Sequence, residues 1–271
     1  VTNKENINAV EVSVPANAVK NIAKKTGATV IIKTDVGEVE LDKATVDAVA
    51  QNAESGEVKF IINITKKDEN QLVLELSIIT SSGAVKDFKG GNVKVTVKLN
   101  NELKTKNPVC VYIDDNDIYH KVKSGLNKNG KFEFTTGHFS RYAVMAEAEA
   151  DKIISKQLKK MISDVKIKMS AKKTAKGNIR VSAKADIKAL RNAGYDVKYK
   201  FYRSTKAKSS YKVVKVKASS SFVDSKIKKG NKYYYKVKLM VYDESNKLVG
   251  STALKKSPYS KAVKVTKAKV H

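Results

Sequence analysis

The sequence predicts a mainly β protein of two domains: an N-terminal β-rich domain with two short helices over residues 1–149, a helical connector over 150–163, and a C-terminal β-sandwich over 164–271. Three observations predict it. Apolar residues recur at every second position through most of the chain, the signature of strands with one buried face. Helical spacing is confined to a few short stretches. Charge is partitioned: residues 1–150 hold 20 Lys and Arg against 20 Asp and Glu, and residues 151–271 hold 34 against 7, so the whole net charge of +27 belongs to the second half. With 271 residues and 41% hydrophobic content, the chain supplies two cores.

The elements follow in order. Val10 to Val14 alternate as a strand, and Pro15 opens a helix through Val19 and Ile22 that is expected to end at Gly27. Residues 28–33 return to strand, and Asp42 is the expected N-cap of a second helix through Val46 and Val49 to Ser55-Gly56. Two strands follow, 58–65 and 72–80, around a polar turn. From Asn92 the alternation predicts a β-meander: Val93 to Leu99, Val109 to Ile113, Ile118 to Val122, a hairpin at Asn129-Gly130 returning through Phe132, and a last strand Tyr142 to Met145. An Ala/Glu/Lys stretch with Ile153, Ile154, Leu158 and Met161 reads as the connector helix. The second domain opens with strands around Val165 to Met169, Ile179 to Ala183, Val197 to Tyr202 and Val213 to Val216, lysines taking the alternate positions.

Several function classes are excluded or disfavoured. No run of about 18 apolar residues exists to form a transmembrane helix. The start, VTNKENINAVEV, lacks the basic and apolar blocks of a signal peptide, which suits a cytosolic protein or a fragment whose export signal has been removed; the fragment is the preferred reading. Cys110 is the only cysteine, so neither an internal disulfide nor a thiol pair for zinc or redox work is available. Phosphate-binding loops, dinucleotide fingerprints and hydrolase elbows are absent, and neither an enzyme nor a cofactor is expected.

Three constellations carry chemistry. Asp114, Asp115 and Asp117, around Asn116, offer oxygen ligands to calcium but lack the Gly and distal Glu of an EF-hand loop, and a hairpin turn is the preferred reading. His120 has no partner at metal-ligand spacing. The tyrosines 233, 234 and 235, with Tyr199, Tyr202 and Tyr242, are a candidate sugar platform, but alternation turns Tyr233 and Tyr235 inward and the chain has no Trp, so core use is preferred.

The stretch KIKKGNKYYYKVKLMVYD, with KSPYSKAVKV downstream, resembles the end of a fibronectin type III domain, in which a Gly-containing turn precedes a strand opening with a corner Tyr. The resemblance implies that Gly230 and Tyr233 form that corner, that Tyr235, Val237, Leu239 and Val241 point inward, and that Tyr259 to Val265 close the sheet. The chain departs from the pattern in lacking an early Trp and in carrying a helix-like insertion, Ile187 to Ala193. It is similar to Lys-rich repeats of exported surface proteins from Gram-positive gut bacteria.

The segment KFEFTTGHFSRYAVM resembles the last hairpin of ZU5 and GAIN domains, whose self-cleaving turn carries His-Phe-Ser or His-Leu-Thr. That resemblance implies His138 as base, Ser140 as nucleophile on the preceding carbonyl, and Phe139-Ser140 as the broken bond, with water resolving the ester. An ordinary, uncleaved turn is the preferred reading.

Together these readings give a non-enzymatic extracellular structural or adhesion module of a Gram-positive surface protein, its cationic domain facing anionic wall polymer or glycan, with a host or surface protein as a further partner. The alternatives are an accessory carbohydrate-binding module of a larger secreted enzyme and a self-processing module cleaving before Ser140. Sequence-specific nucleic-acid binding is not expected, since only Arg180, Arg191 and Arg203 supply guanidinium in the basic half.

Overall fold

The computed structural model describes residues 9–265 and is mainly β; the remaining residues of the two expected domains, 1–8 and 266–271, lie outside the described residues. The chain divides into two compact units, Val1–Ile154 and Ser155–His271.

The first unit runs β1 (Ala9–Pro15), α1 (Ala16–Ala23), β2 (Val30–Lys33), β3 (Gly37–Leu41), α2 (Lys43–Asn52), β4 (Glu57–Lys67), β5 (Gln71–Thr80), β6 (Gly83–Ala84), β7 (Val93–Val97), α3 (Asn101–Thr105), β8 (Pro108–Ile113), β9 (Tyr119–Val122), β10 (Ser124–Leu126), β11 (Phe132–Thr136) and β12 (Arg141–Ala146). One antiparallel sheet has the order β1-β4-β5-β12-β8-β9, with β6 on β5; the other is β10-β11-β7-β3-β2. Their inner faces interdigitate: Leu74, Ile78, Cys110, Tyr142 and Val144 from the first meet Val39, Leu41, Val95, Phe132 and Phe134 from the second. Cys110 is one of these packed residues, and burial pushes its thiol well above its ordinary range.

The expected meander is corrected here. From Val93 the strands are shared between two sheets, because β11 pairs with β7 and β7 with β3, while β12 pairs with β5 and β8, and β8 with β9. Alternation fixes which residues are buried but not which sheet a strand joins. Helix α1 also stops at Ala23, short of Gly27, which takes φ 67° in the following turn. Asp42 caps α2 as expected, accepting from the backbone N of Thr45 at 2.8 Å through Oδ1 and of Asn92 at 2.8 Å through Oδ2.

Helix α4 (Glu147–Asp164) covers the Ala/Glu/Lys stretch that the sequence marks as helical from Glu147 to Ser163. Its early residues Ala150, Ile153 and Ile154 cover Val111, Ile113, Ala143 and Met145 on the outer face of the first unit's larger sheet. This is why β12 is buried on both faces.

In the second unit come β13 (Ile167–Lys173), β14 (Ile179–Ala185), α5 (Lys188–Asn192), β15 (Asp196–Ser204), β16 (Lys212–Lys217), β17 (Ser221–Asp224), β18 (Lys232–Tyr242), β19 (Leu248–Ser251), a 3-10 turn at Leu254–Lys256, and β20 (Val263–Lys264). The sheets are β13-β14-β17 and β16-β15-β18-β19, with β20 also on β18. A three-strand sheet of first, second and fifth strands facing a sheet of third, fourth, sixth and seventh is the fibronectin type III plan. Leu158 of α4 joins the core of Ile179, Val181, Tyr199, Phe201, Val237 and Leu239.

Three expectations for this unit change. The first strand starts at Ile167, because α4 continues to Asp164. A register shift between Phe201 and Tyr202 leaves Val213 and Val216 of β16 exposed, and of the three valines only Val214 packs on the core. The closing strand is reduced to Val263–Lys264; before it, the hydroxyls of Thr252, Ser257 and Ser260 accept from the backbone N of Leu239, Val237 and Tyr235 at 3.0, 3.3 and 3.1 Å. Side-chain oxygens thus satisfy an edge that Pro258 and the 3-10 turn would otherwise leave unpaired.

Candidate functional site

Sheet pairing assembles the candidate residues of the first unit. Strand β12 lies between β8 and β5, with Arg141 opposite both Ile113 and Glu75. The residues just before Arg141 therefore adjoin those just after Ile113. The Asp-rich turn and the His-Phe-Ser turn, separated in the sequence by residues 118–137, line one open cleft of about 720 Å³ with Glu75, Lys86 and Tyr112.

The Asp-rich segment is a tight turn. Asp114 Oδ1 accepts from the backbone N of Asn116 at 2.8 Å and of Ile118 at 3.0 Å, and Oδ2 lies 3.3 Å from His120 Nε2. Asp117 takes the left-handed φ of 57° and pairs with Arg141. Burial pushes the Asp114 carboxyl up, but these hydrogen bonds outweigh it and hold the group below its ordinary range. His120 also stacks on Tyr112, with centroids 4.4 Å apart. Among the described residues, no group of three or more His, Cys, Asp or Glu is arranged to hold a metal ion.

At the second turn the His138 ring lies edge-on to Tyr112 at 4.8 Å, and its Nδ1 is 3.4 Å from Tyr142 Oη. Tyr142 Oη donates to the His138 carbonyl at 2.5 Å and lies 2.7 Å from Thr136 Oγ1, which also donates to that carbonyl at 2.9 Å. Burial raises the Tyr142 hydroxyl well above its ordinary range, so it remains a donor. Phe139 is anchored against Phe88, edge to face at 5.2 Å. Ser140 Oγ donates to the Ile113 carbonyl at 3.3 Å, and the Ser140 carbonyl accepts from Leu76 N at 3.1 Å. None of residues 138–140 has a positive φ. In this arrangement the Ser140 hydroxyl is held by the neighbouring strand and the imidazole faces a tyrosine.

In the second unit Tyr233 is buried, and its hydroxyl accepts from the backbone N of Lys228 at 2.7 Å, the corner that the sequence resemblance implies. Tyr199 and Tyr235 are also core residues, while Tyr202, Tyr234 and Tyr242 are only partly buried. Sequence reasoning missed Asp224, a carboxylate 4% exposed that accepts from Arg203 and from Tyr235 Oη. The available signal was the alternation in Ser221-Phe222-Val223-Asp224, which puts Asp224 on the same face as Phe222.

No family model matches the sequence, and no curated protein matches it. Solved structures similar to the chain include a Fn3-like protein from Clostridium thermocellum, at 21% identity over 35% of this chain and 86% of that one, TM-score 0.26. Others are a cytokine receptor complex, at 10% identity over 65% and 88% with TM-score 0.26, and a β-1,2-glucanase from Parabacteroides distasonis, at 13% over 72% and 33% with TM-score 0.24. At these scores the fibronectin type III description rests on the strand order of the second unit itself.

Proposed function

We propose that the chain is a non-enzymatic extracellular module of a Gram-positive surface protein, in which the fibronectin type III-like unit holds anionic cell-wall polymer. The observation that carries this reading is the coincidence of charge with architecture: residues 155–271 contain 33 Lys and Arg against 6 Asp and Glu, and the first unit is neutral overall. A field of one sign confined to one unit attracts a polyanion to that unit. The first unit, on this reading, is a ZU5- or GAIN-like domain whose His138-Phe139-Ser140 turn stays uncleaved, with the Tyr142 and Ile113 contacts in support. The test is co-sedimentation of the full chain with purified Gram-positive walls before and after chemical removal of their anionic polymer. Binding that falls steeply between low and physiological salt, and disappears with the polymer, supports the proposal; salt-insensitive binding to stripped walls refutes it.

A further inference from the structure

The lysines of the second unit are not all alike. On the outer face of the sheet β16-β15-β18-β19, Lys198 Nζ sits over the Tyr242 ring at 4.4 Å, Lys236 over Tyr211 at 5.3 Å and Lys200 over Tyr202 at 6.0 Å. Register places Lys200 directly opposite Lys238 on the central strands. Lys198 donates to Asn246 Oδ1 at 2.9 Å and Lys236 to the Leu254 carbonyl at 3.5 Å, but among the described residues none of these four lysines pairs with a carboxylate. The rings hold long side chains in place before any ligand arrives, which lowers the entropy cost of meeting one.

At one end of these rows the aromatic surface is open. Tyr234 and Tyr259 meet edge to face at 6.2 Å, and Tyr259 is 47% exposed. Backbone pairing of Ser260 N with the Tyr235 carbonyl, at 2.9 Å, keeps Tyr259 beside β18. Burial, followed by the nearby Tyr259 and Tyr234, pushes the Tyr211 hydroxyl up to about 12.

From this juxtaposition we infer that the outer face of β15 and β18 is a binding site for an acidic polysaccharide, acid groups on Lys198, Lys200, Lys236 and Lys238 and a sugar ring against Tyr259. The inference rests on the wall-polymer reading and specifies its face and ligand chemistry. A polyol phosphate would satisfy the lysines but leave Tyr259 unused. Single-stranded nucleic acid needs several open rings in succession, whereas Tyr202, Tyr211 and Tyr242 already have ammonium groups over them.

The opposite sheet supplies a control, because Lys168 and Lys184 are likewise directly opposite one another, and are exposed where Lys200 and Lys238 are half-buried. The experiment measures binding of polygalacturonate to the full chain at low salt, by calorimetry. Lys200→Gln/Lys238→Gln is expected to weaken binding about tenfold, and Lys168→Gln/Lys184→Gln, with the same change of charge, less than about threefold. Tyr259→Ala is expected to weaken polygalacturonate binding while leaving binding of inorganic polyphosphate unchanged. Equal losses from the two lysine pairs, or no effect of Tyr259→Ala, overturn the site while leaving the charge reading standing. Wild-type chain that binds neither polygalacturonate nor wall polymer overturns both. A thymidine oligonucleotide that displaces polygalacturonate and loses more affinity than it in the Lys200→Gln/Lys238→Gln variant overturns the choice of polysaccharide.

Discussion

Arg203 on β15 and Asp224 on β17 join the two sheets of the second unit: Arg203 Nη1 donates to the carboxylate oxygens of Asp224 at 3.1 and 2.8 Å. Tyr235 Oη donates to the same carboxylate at 2.9 Å, the backbone N of Lys226 does so at 3.1 Å, and Arg203 also reaches the Lys226 carbonyl. The buried charge is thus paired and its lone pairs are filled, the condition under which such a group is tolerated. Burial, and then the Asp224 charge, raises the Tyr235 hydroxyl well above its ordinary range and keeps it a donor.

Asp224→Ala is expected to destabilise the second unit by about 3 kcal/mol, since it leaves a guanidinium largely buried without its partner. Tyr235→Phe should cost about 1 to 2 kcal/mol, and the double variant less than the sum, because both changes remove the same hydrogen bond. Urea denaturation of the full chain, followed on the second unit's transition, measures the cycle; strict additivity would contradict the network.

Tyr233→Phe is expected to cost about 1 to 2 kcal/mol through loss of the bond from Lys228 N, and Tyr234→Phe close to nothing, since Tyr234 Oη has no such role at the corner. The same denaturation curves check the order of the two.

Asp42 gives a pH prediction for the first unit. Burial raises its carboxyl, but hydrogen bonds from Thr45 and Asn92 outweigh this and hold it below its ordinary range. A depressed folded value stabilises at pH above the unfolded value of about 4, and the gain is lost as pH falls through the folded value. Asp42→Ala should therefore cost about 1 kcal/mol at pH 7 and progressively less below about pH 4. The cap is also sterically fixed, because a Cβ on Gly91 would lie 2.4 Å from Thr45 N. Gly91→Ala should lower the melting temperature of the first unit at both pH 7 and pH 3.

The His138-Phe139-Ser140 turn is expected to persist uncleaved, giving one intact mass of 29.8 kDa after prolonged incubation, with Ser140→Ala identical in cleavage state. Fragments whose new N-terminus is Ser140, abolished by His138→Ala or Ser140→Ala, would show an acyl shift instead.

What the sequence made legible was local. Period-two runs located most strands, Asp42 marked its helix start, and Gly230 ahead of Tyr233 marked the corner. Strand β3 escaped although Val39 and Leu41 alternate with Glu38 and Glu40, because it is only five residues long, and β17 because it is four residues long. The rest depended on long-range pairing. Only the register of β12 on β8 brings Asp114 beside His138, and only the packing of two sheets buries Asp224 against Arg203. Substitution of hydroxyls for a continuous closing strand has no periodic signature at all.

The central claim, that the second unit holds the polyanion, is tested most directly by lysine acetylation of the intact chain, free and bound to anionic wall polymer, read by peptide mass spectrometry. The account predicts protection at Lys200, Lys236 and Lys238 and unchanged reactivity at the exposed Lys67, Lys123 and Lys128 of the first unit. Equal protection in both units, or full reactivity of Lys200, Lys236 and Lys238 in the bound state, would contradict it.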